Sequence, residues 1–168
     1  MTVLTSPDGV VLDLAEASDA GRDPEKQINE DSALSAVCTL GHLGVVCDGM
    51  GGHAAGQKAS QLAALTIRDS VVQAPATAQP IEVLRGAIVR ASAAVFALGG
   101  SAPAEHRPGS TCVTVLLTAR DAHVAHVGDS RGFLLRNGKL QRLTRDHSLV
   151  EEMIDAGVIS RNDAAHHP

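Results

Sequence analysis

The order of the periodic segments constrains the fold of this chain more than any other feature of its sequence. Two strand-like runs at 31–38 and 42–47 are followed by two helix-permissive segments, and further short strand-like runs, the first of them β-branched, come after them. The second helical segment has apolar residues every three or four positions: Ile81, Leu84, Ile88, Ala91, Val95 and Leu98. Strands grouped on either side of the helices predict an α+β fold with mainly antiparallel sheets, rather than repeated βαβ units.

Shorter patterns predict the remaining elements. Asn137-Gly138 between two apolar runs is typical of a tight β-hairpin. Gly157 is a plausible end signal for a short helix that begins near residue 148. The other predicted elements are strands at 10–18, 110–118, 122–129, 131–136 and 139–144, and a helix at 54–72.

The composition requires an aliphatic core. The 168 residues include two Phe and neither Trp nor Tyr, while apolar residues make up 44%. A net charge of −5 without any basic block disfavours nucleic-acid binding. No apolar run approaches the roughly 18–20 residues of a membrane span, and the first segment, MTVLTSPDGV, does not resemble a signal peptide. We therefore expect a globular, cytoplasmic protein that binds neither nucleic acid nor membranes.

The three cysteines lie in apolar, strand-like runs. Cys38, Cys47 and Cys112 do not have the spacing of a C-x-x-C motif. Their odd number and their surroundings predict three reduced, buried thiols rather than a disulfide framework.

A glycine-rich stretch, VVCDGMGGHAAGQ at 45–57, has three interpretations. Its local pattern fits the dinucleotide fingerprint G-x-G-x-x-A between a strand and a helix, but no βαβ unit follows, and Asp69 at the expected spacing lies in the predicted helix. A second interpretation is a simple tight turn. That is weakened by Asp48 at the end of an apolar run, because a carboxylate there is costly unless it is paired or bound to a ligand.

The third interpretation is a cation site. Asp31 opens one predicted strand, and Asp48 and Asp129 close two others. Three carboxylates at strand ends could converge at one edge of a sheet, and oxygen ligands suit Mg²⁺ or Mn²⁺. Such ions lower the pKa of a bound water and stabilise charge on a phosphoryl group.

Five segments together resemble the motifs of the metal-dependent serine/threonine protein phosphatases of the 2C (PPM) type, in their bacterial form. In chain order they are SDAG…NEDS (18–32), VVCDGMGGHAAG (45–56), GSTCVTVLL (109–117), VGDSRGFLLRNGKL (127–140) and LTRDHS (143–148). The resemblance implies that 1–168 is the N-terminal two-thirds of a single PPM-type domain, without the C-terminal strands of its sandwich. It also implies a mainly antiparallel β-sandwich flanked by helix pairs, with two Mn²⁺ or Mg²⁺ ions at one end and a third, weaker ion.

The resemblance also assigns roles to individual residues. Asp48 matches the carboxylate that bridges two metals, and Gly49 matches the residue that offers its backbone carbonyl. Asp31 matches the metal-linked acid of the first motif, with Glu30 beside it as a supporting residue. Asp129 matches the acid that holds the third metal. By this resemblance, a metal-bridged hydroxide hydrolyses phosphoserine and phosphothreonine in proteins without a covalent intermediate.

Further residues are assigned by the same resemblance. Thr111, Asp146 and His147 are expected to support the site, and residues 148–168 resemble the flap segment beside the substrate cleft. The family's phosphate-binding arginine has two candidates here: Arg22 is favoured, and Lys26, which would bind phosphate as a point charge rather than as a fork, is the alternative.

The C-terminal motifs of the family, which carry further metal-ligand aspartates, do not occur before Pro168. We therefore expect this chain alone to bind metal weakly and to have little or no phosphatase activity. The alternative is an inactive or regulatory phosphoprotein-binding module. The expected partners are phosphorylated proteins, with a serine/threonine kinase and its substrates among them, and we expect a monomer.

Overall fold

A computed structural model describes residues 2–5, 11–22, 28–52, 54–103, 106–160 and 163. The elements follow the predicted order of strands, helices and strands. They are β1 (Thr2–Thr5), β2 (Val11–Leu14), β3 (Asp31–Cys38), β4 (Gly41–Met50), α1 (Ala54–Val72), α2 (Pro80–Leu98), β5 (Gly109–Ser110), β6 (Cys112–Leu117), β7 (Ala122–Val127), β8 (Phe133–Arg136), β9 (Lys139–Arg142) and α3 (Leu149–Asp155).

One five-stranded antiparallel sheet organises the molecule. Its strand order is β3-β4-β6-β7, with the short β5 paired to the end of β4. The hairpins β1-β2 and β8-β9 form two separate two-stranded sheets. Every strand pair within the described residues is antiparallel, which confirms the predicted mixed α+β class with mainly antiparallel sheets.

Helices α1 and α2 cover one face of the large sheet, and the core lies between the helices and the sheet. Alternate residues of β4 point to this core, so that Leu43, Val45 and Cys47 are buried while Val46 is half exposed. The buried core is aliphatic, as predicted: Phe96 and Phe133 are 63% and 50% exposed. Within the described ranges, no helix has both the length and the apolar character needed to cross a membrane.

Three sequence predictions are corrected by the structure. The strand predicted at 10–18 is only Val11–Leu14, and β1 was not predicted at all. Asp48 lies within β4 rather than at its end, because Gly49 and Met50 continue the strand by pairing with β5. The hairpin turn, by contrast, is confirmed: Asn137 and Gly138 have φ values of 52° and 72°, the left-handed conformation that this turn requires.

The three cysteines are buried and do not form a disulfide in the structure, as predicted. Burial raises the pKa of Cys47 to about 12, with the neighbouring Cys112 adding to the effect. Burial also raises the pKa of Cys112. Both thiols are therefore protonated at neutral pH.

Candidate metal centre

Asp31 and Asp48 lie directly opposite each other in the β3-β4 ladder. The position of Asp31 is fixed at the start of β3, where its N–H donates to the side-chain oxygen of Asn29 at 2.9 Å. The Asn29 amide in turn donates to the Ser18 hydroxyl at 2.6 Å. The motifs at 18–32 and 45–56, which are separated in sequence, therefore meet at one end of the large sheet.

Asp48 lies close to other acidic side chains, and its pKa reflects their charges. Its pKa is raised, first by burial, then by the charge of Asp31 and by a hydrogen bond to that side chain, and further by the charges of Asp129 and Glu30. We call these four residues, Glu30, Asp31, Asp48 and Asp129, the acidic edge. A cation would relieve this repulsion, so the acidic edge has the electrostatic character of a cation site.

Thr111 holds the backbone of Asp48. The Asp48 N–H donates to the Thr111 hydroxyl oxygen at 3.1 Å, and the Thr111 N–H donates to the Asp48 carbonyl at 2.8 Å. The Thr111 hydroxyl also lies 2.6 Å from the hydroxyl of Ser130, the residue after Asp129. A single buried side chain thus connects β4 to the loop that carries Asp129, which gives a physical basis for the expected supporting role of Thr111.

Gly49 is required by the close approach of three backbone segments. A Cβ at Gly49 would collide with the carbonyl of Gly56 in α1 and lie 2.8 Å from the carbonyl of Glu30. The Gly49 N–H donates to that Glu30 carbonyl at 3.1 Å, and the Ser60 hydroxyl donates to it at 2.5 Å. The acidic edge therefore rests on the N-terminal turn of α1, where Gly56 meets Gly49 without intervening side chains.

A cleft of about 380 Å³ opens over this end of the sheet. Glu30, Asp31 and Asp48 of the acidic edge line it. Asp19, which the sequence analysis did not identify as a site residue, lines it as well. Asp19 accepts a hydrogen bond from the Gly21 N–H at 2.7 Å and so shapes the turn before Arg22. Arg22 is exposed and does not line the cleft, whereas Lys26 lies outside the described residues.

The donor set fits part of a site for a hard divalent cation. Carboxylate oxygens and a backbone carbonyl are the donors that Mg²⁺ and Mn²⁺ prefer. The structure pairs Asp31 with Asp48, and both line the cleft together with Gly49. Within the described part of the chain, no three Asp, Glu, His or Cys side chains converge closely enough to hold a metal ion, so Asp129 acts on Asp48 at longer range.

Asp146 and His147 fix the loop that carries Asp129. Asp146 forms ion pairs with Arg131, at 2.6 Å, and with Arg142. Its pKa is lowered, mainly by the hydrogen bond from Arg131. The His147 N–H donates to the Gly128 carbonyl at 3.0 Å. Of the expected flap, α3 and the turn after it are described, whereas residues 161–162 and 164–168 lie outside the described residues.

His147 also stacks on a second histidine. The rings of His126 and His147 are 4.6 Å apart, and the His126 Nε2 donates to the Arg145 carbonyl at 2.6 Å. Ser130, Arg131 and Arg142 complete this network but were not predicted. The sequence indicates this network only through Arg131, two positions after Asp129, because a positively charged side chain there predicts a carboxylate partner elsewhere in the fold.

The family model described as Protein phosphatase 2C matches residues 22–152. The serine/threonine phosphatase Stp of Listeria welshimeri is 40% identical over 127 residues, which are 74% of this chain and 50% of that protein. The serine/threonine protein phosphatase PstP of Mycobacterium tuberculosis is 33% identical over 159 residues, which are 95% of this chain and 30% of that protein.

Solved structures agree with the sequence relatives. A crystal structure of Mycobacterium tuberculosis PstP has a TM-score of 0.76 at 32% identity, covering 90% of this chain and 62% of that one. The PstP catalytic domain in complex with two manganese ions has a TM-score of 0.72 at 31% identity, covering 88% of this chain and 61% of that one. The chain thus spans about half or less of the length of these sequence relatives, 50% and 30%, and less than two thirds of the solved domains.

Proposed function

Because the chain belongs to the protein phosphatase 2C family, we propose that it supplies catalytic residues for the metal-dependent hydrolysis of phosphoserine and phosphothreonine in proteins. The observation that carries the proposal is the pairing of Asp31 with Asp48 in the cleft that Gly49 also lines. The relatives reported above are all described as phosphatases, which gives the regulatory-module alternative no support.

We propose that two Mn²⁺ or Mg²⁺ ions, with a third, weaker one, are the cofactors. The two manganese ions in the PstP catalytic domain support this proposal. Asp31, Asp48 and the Gly49 carbonyl would hold the first ions, and Asp129 would serve the third. When bound, such ions make water a stronger nucleophile and neutralise charge on the phosphoryl group.

The residues of this chain contribute positioning and charge. Thr111 and Ser110 hold the Asp48 backbone, with the Ser110 hydroxyl donating to the Asp48 carbonyl at 3.2 Å. Arg131 and Asp146 hold the loop after Asp129. Arg22 directly follows the turn that Asp19 shapes, and from there it would bind the substrate phosphate. Phosphorylated proteins are the proposed partners, and a serine/threonine kinase is the proposed opposing activity.

The proposal is tested first by metal binding. We expect Mn²⁺ to raise the melting temperature of the chain, because ions that bind only the folded state stabilise it. Asp48→Asn should abolish this shift. Asp121→Asn, which removes an exposed acid in the turn between β6 and β7, should leave it unchanged and controls for net charge.

Catalysis is tested separately, by phosphate release from a phosphothreonine peptide. Release that needs Mn²⁺ and is lost in Asp48→Asn but kept in Asp121→Asn would support the proposal. Little release by this chain alone is the expected result, so the outcomes that would contradict the proposal are a melting temperature that millimolar Mn²⁺ leaves unchanged and phosphate release that persists in Asp48→Asn.

A further inference from the structure

Cys47 and Cys112 face each other across β4 and β6. The described β4-β6 pairing ends at Val46 opposite Val113, so the next pair along the same antiparallel register is Cys47 opposite Cys112. The hydrogen bond from the Thr111 N–H to the Asp48 carbonyl, 2.8 Å long, continues the same register one residue further. The two cysteines are therefore neighbours, although 65 positions separate them in the sequence.

The position of the two cysteines in the ladder decides whether a disulfide can form between them. The Thr111 N–H donates to the Asp48 carbonyl, as in a hydrogen-bonded pair, and the Asp48 N–H donates to the Thr111 hydroxyl instead of the carbonyl. Because the pairs alternate along an antiparallel ladder, the adjacent Cys47 and Cys112 occupy a non-hydrogen-bonded pair position. In such pairs the Cα atoms are about 4.5 Å apart, which lies within the range that a disulfide spans. Cys112 also contributes to the raised pKa of Cys47, which is consistent with adjacent thiols.

A small apolar cavity reaches Cys112. It measures about 210 Å³, lies between α2 and the ends of β5, β6 and β7, and has Cys112 in its wall. The exposed side chains of Phe96 and Val127 form part of its rim. Since a water molecule occupies about 30 Å³, a small neutral molecule such as hydrogen peroxide fits the cavity, although Cys112 itself is only 5% exposed.

We propose that Cys47 and Cys112 are a redox modification site, at which hydrogen peroxide entering this cavity converts the two thiols into a reversible cross-strand disulfide. Cys112 first attacks one peroxide oxygen, the O–O bond breaks, and one water leaves with the thiol proton to give a sulfenic acid. The Cys47 sulfur then attacks the Cys112 sulfur, and the second water leaves. Two thiols are oxidised and one peroxide is reduced to two waters.

The structure also indicates how this site behaves. Both thiols are buried, so access of peroxide is restricted, and the reaction is slow and needs an excess of peroxide. The disulfide would join β4 and β6 one residue before Asp48 and one residue after Thr111. This site does not depend on the proposed phosphatase activity, because it requires only the register and the cavity.

Mass spectrometry of the folded chain tests the proposal, with Cys38 as the internal control. Cys38 lies opposite Gly41, six residues along β4 from Cys47 and therefore about 20 Å away. After peroxide treatment and alkylation in denaturant, we expect the wild type to lose about 2 Da and to alkylate Cys38 alone. Cys38→Ser should lose the same mass, whereas Cys47→Ser and Cys112→Ser should not. Dithiothreitol should restore three alkylated cysteines.

A wild-type peptide map makes the test independent of how the variants fold. Chymotryptic cleavage at Leu40 or Leu43 separates Cys38 from Cys47, so the disulfide partner of Cys112 is read directly. A Cys47–Cys112 peptide that forms in buffer, and mixed pairings that form only in urea, would support the site. Sulfinic acid without disulfide, pairing with Cys38, or disulfide-linked dimers in buffer would each overturn it.

Discussion

Asp48 and Asp146 are two aspartates in opposite electrostatic surroundings. Asp48 has a raised pKa, first because of burial and then because of Asp31 and the other members of the acidic edge. Asp146, whose side chain is only 11% exposed, has a lowered pKa because Arg131 donates hydrogen bonds to it and Arg142 pairs with it. We call these three residues, Arg131, Arg142 and Asp146, the arginine clamp.

The difference indicates that the arginine clamp stabilises the fold, whereas the acidic edge has the electrostatic character of a cation site. The arginine clamp compensates its buried charge within the chain, so its contribution to folding is favourable. The acidic edge leaves like charges together, which costs stability unless a cation binds, and such uncompensated clusters are typical of functional sites. Substitutions in the two regions should therefore change stability in opposite directions, whereas substitutions in the backbone beneath the acidic edge should destabilise regardless of charge.

The largest effect is expected from Gly49→Ala, which tests the backbone support of the acidic edge. The new methyl group would collide with the backbone carbonyl of Gly56, which cannot move aside as a side chain can. We expect a loss of about 3 kcal/mol in the free energy of unfolding, measured by urea denaturation.

Two further glycine substitutions serve as controls for this result. Gly56→Ala would displace the flexible carboxylate of Glu30 and lie 3.0 Å from the Gly49 carbonyl, a milder clash with backbone, so it should cost less, about 1–2 kcal/mol. Gly86→Ala in α2 has only the end of the Arg90 side chain nearby, at 3.4 Å, and should be neutral or stabilising. Equal losses in Gly49→Ala and Gly86→Ala would show that helix propensity and chain entropy, not close packing, explain these glycines.

Asp146→Asn should give the next largest loss, because it leaves Arg131 and Arg142 without their shared carboxylate. We expect the free energy of unfolding to fall by about 2 kcal/mol. Glu82→Gln is the matched control, since it breaks the Arg85–Glu82 pair, in which both side chains are more than half exposed, and should cost less than about 0.5 kcal/mol. If the two variants are equally stable, the clamp contributes no more than a surface ion pair.

The sequence predicted the acidic edge better than the clamp, and the reason is physical. Asp31 directly precedes one apolar run and Asp48 directly follows another, so an unusual position marks them locally, and strand order then implies that they meet. The clamp joins Arg131 to Asp146 across 15 positions and a hairpin, and no local pattern marks such a pair. The same holds for the contact of Gly49 with Gly56, which depends on how α1 packs on β4.

The helices were predicted almost to the residue, whereas the strands were predicted less well. The three- and four-residue spacing in α2 is a long, repeated signal, and its predicted start at Ile81 differs from the observed Pro80 by one position. The limits of β4 depend instead on its partner: β5 extends β4 past Asp48, and two residues are too short to carry a periodic pattern. Strand ends are set by long-range pairing, which the sequence does not display locally.

Thr111→Val should have a smaller effect on stability. It removes one contact to Asp48 of the acidic edge and one to Ser130, which precedes Arg131 of the arginine clamp. The substitution keeps the shape but removes the hydroxyl that accepts from the Asp48 N–H and contacts Ser130. We expect a loss of about 1–2 kcal/mol in the free energy of unfolding, because a buried N–H loses its partner. Thr66→Val, which removes a hydroxyl bonded to the Leu62 carbonyl within α1, should be nearly neutral. A Thr111→Val variant as stable as Thr66→Val would remove Thr111 from the supporting residues.

The smallest effect is expected from Asp48→Asn, and it has the opposite sign. Without metal, the substitution removes a charge that its neighbours disfavour, so the free energy of unfolding at neutral pH should rise by about 0.5 kcal/mol. The pKa of Asp48 is raised on folding, so the folded state binds its proton more readily than the unfolded state does. The penalty is therefore fully present above the folded-state pKa and disappears as the pH falls toward the ordinary value of about 4.

Asp146 should titrate with the reverse sign, which makes pH the sharpest test of the comparison. Its pKa is lowered on folding, so its contribution is fully present above about pH 4 and is lost only as the pH falls through the lower folded-state value. Urea denaturation at pH 7 and again near pH 4 separates the two acids. The gain from Asp48→Asn should vanish near pH 4, while the loss from Asp146→Asn should largely persist. A loss of stability in metal-free Asp48→Asn at pH 7 would mean that this carboxylate is compensated within the chain, and the contrast between the acidic edge and the arginine clamp would fail.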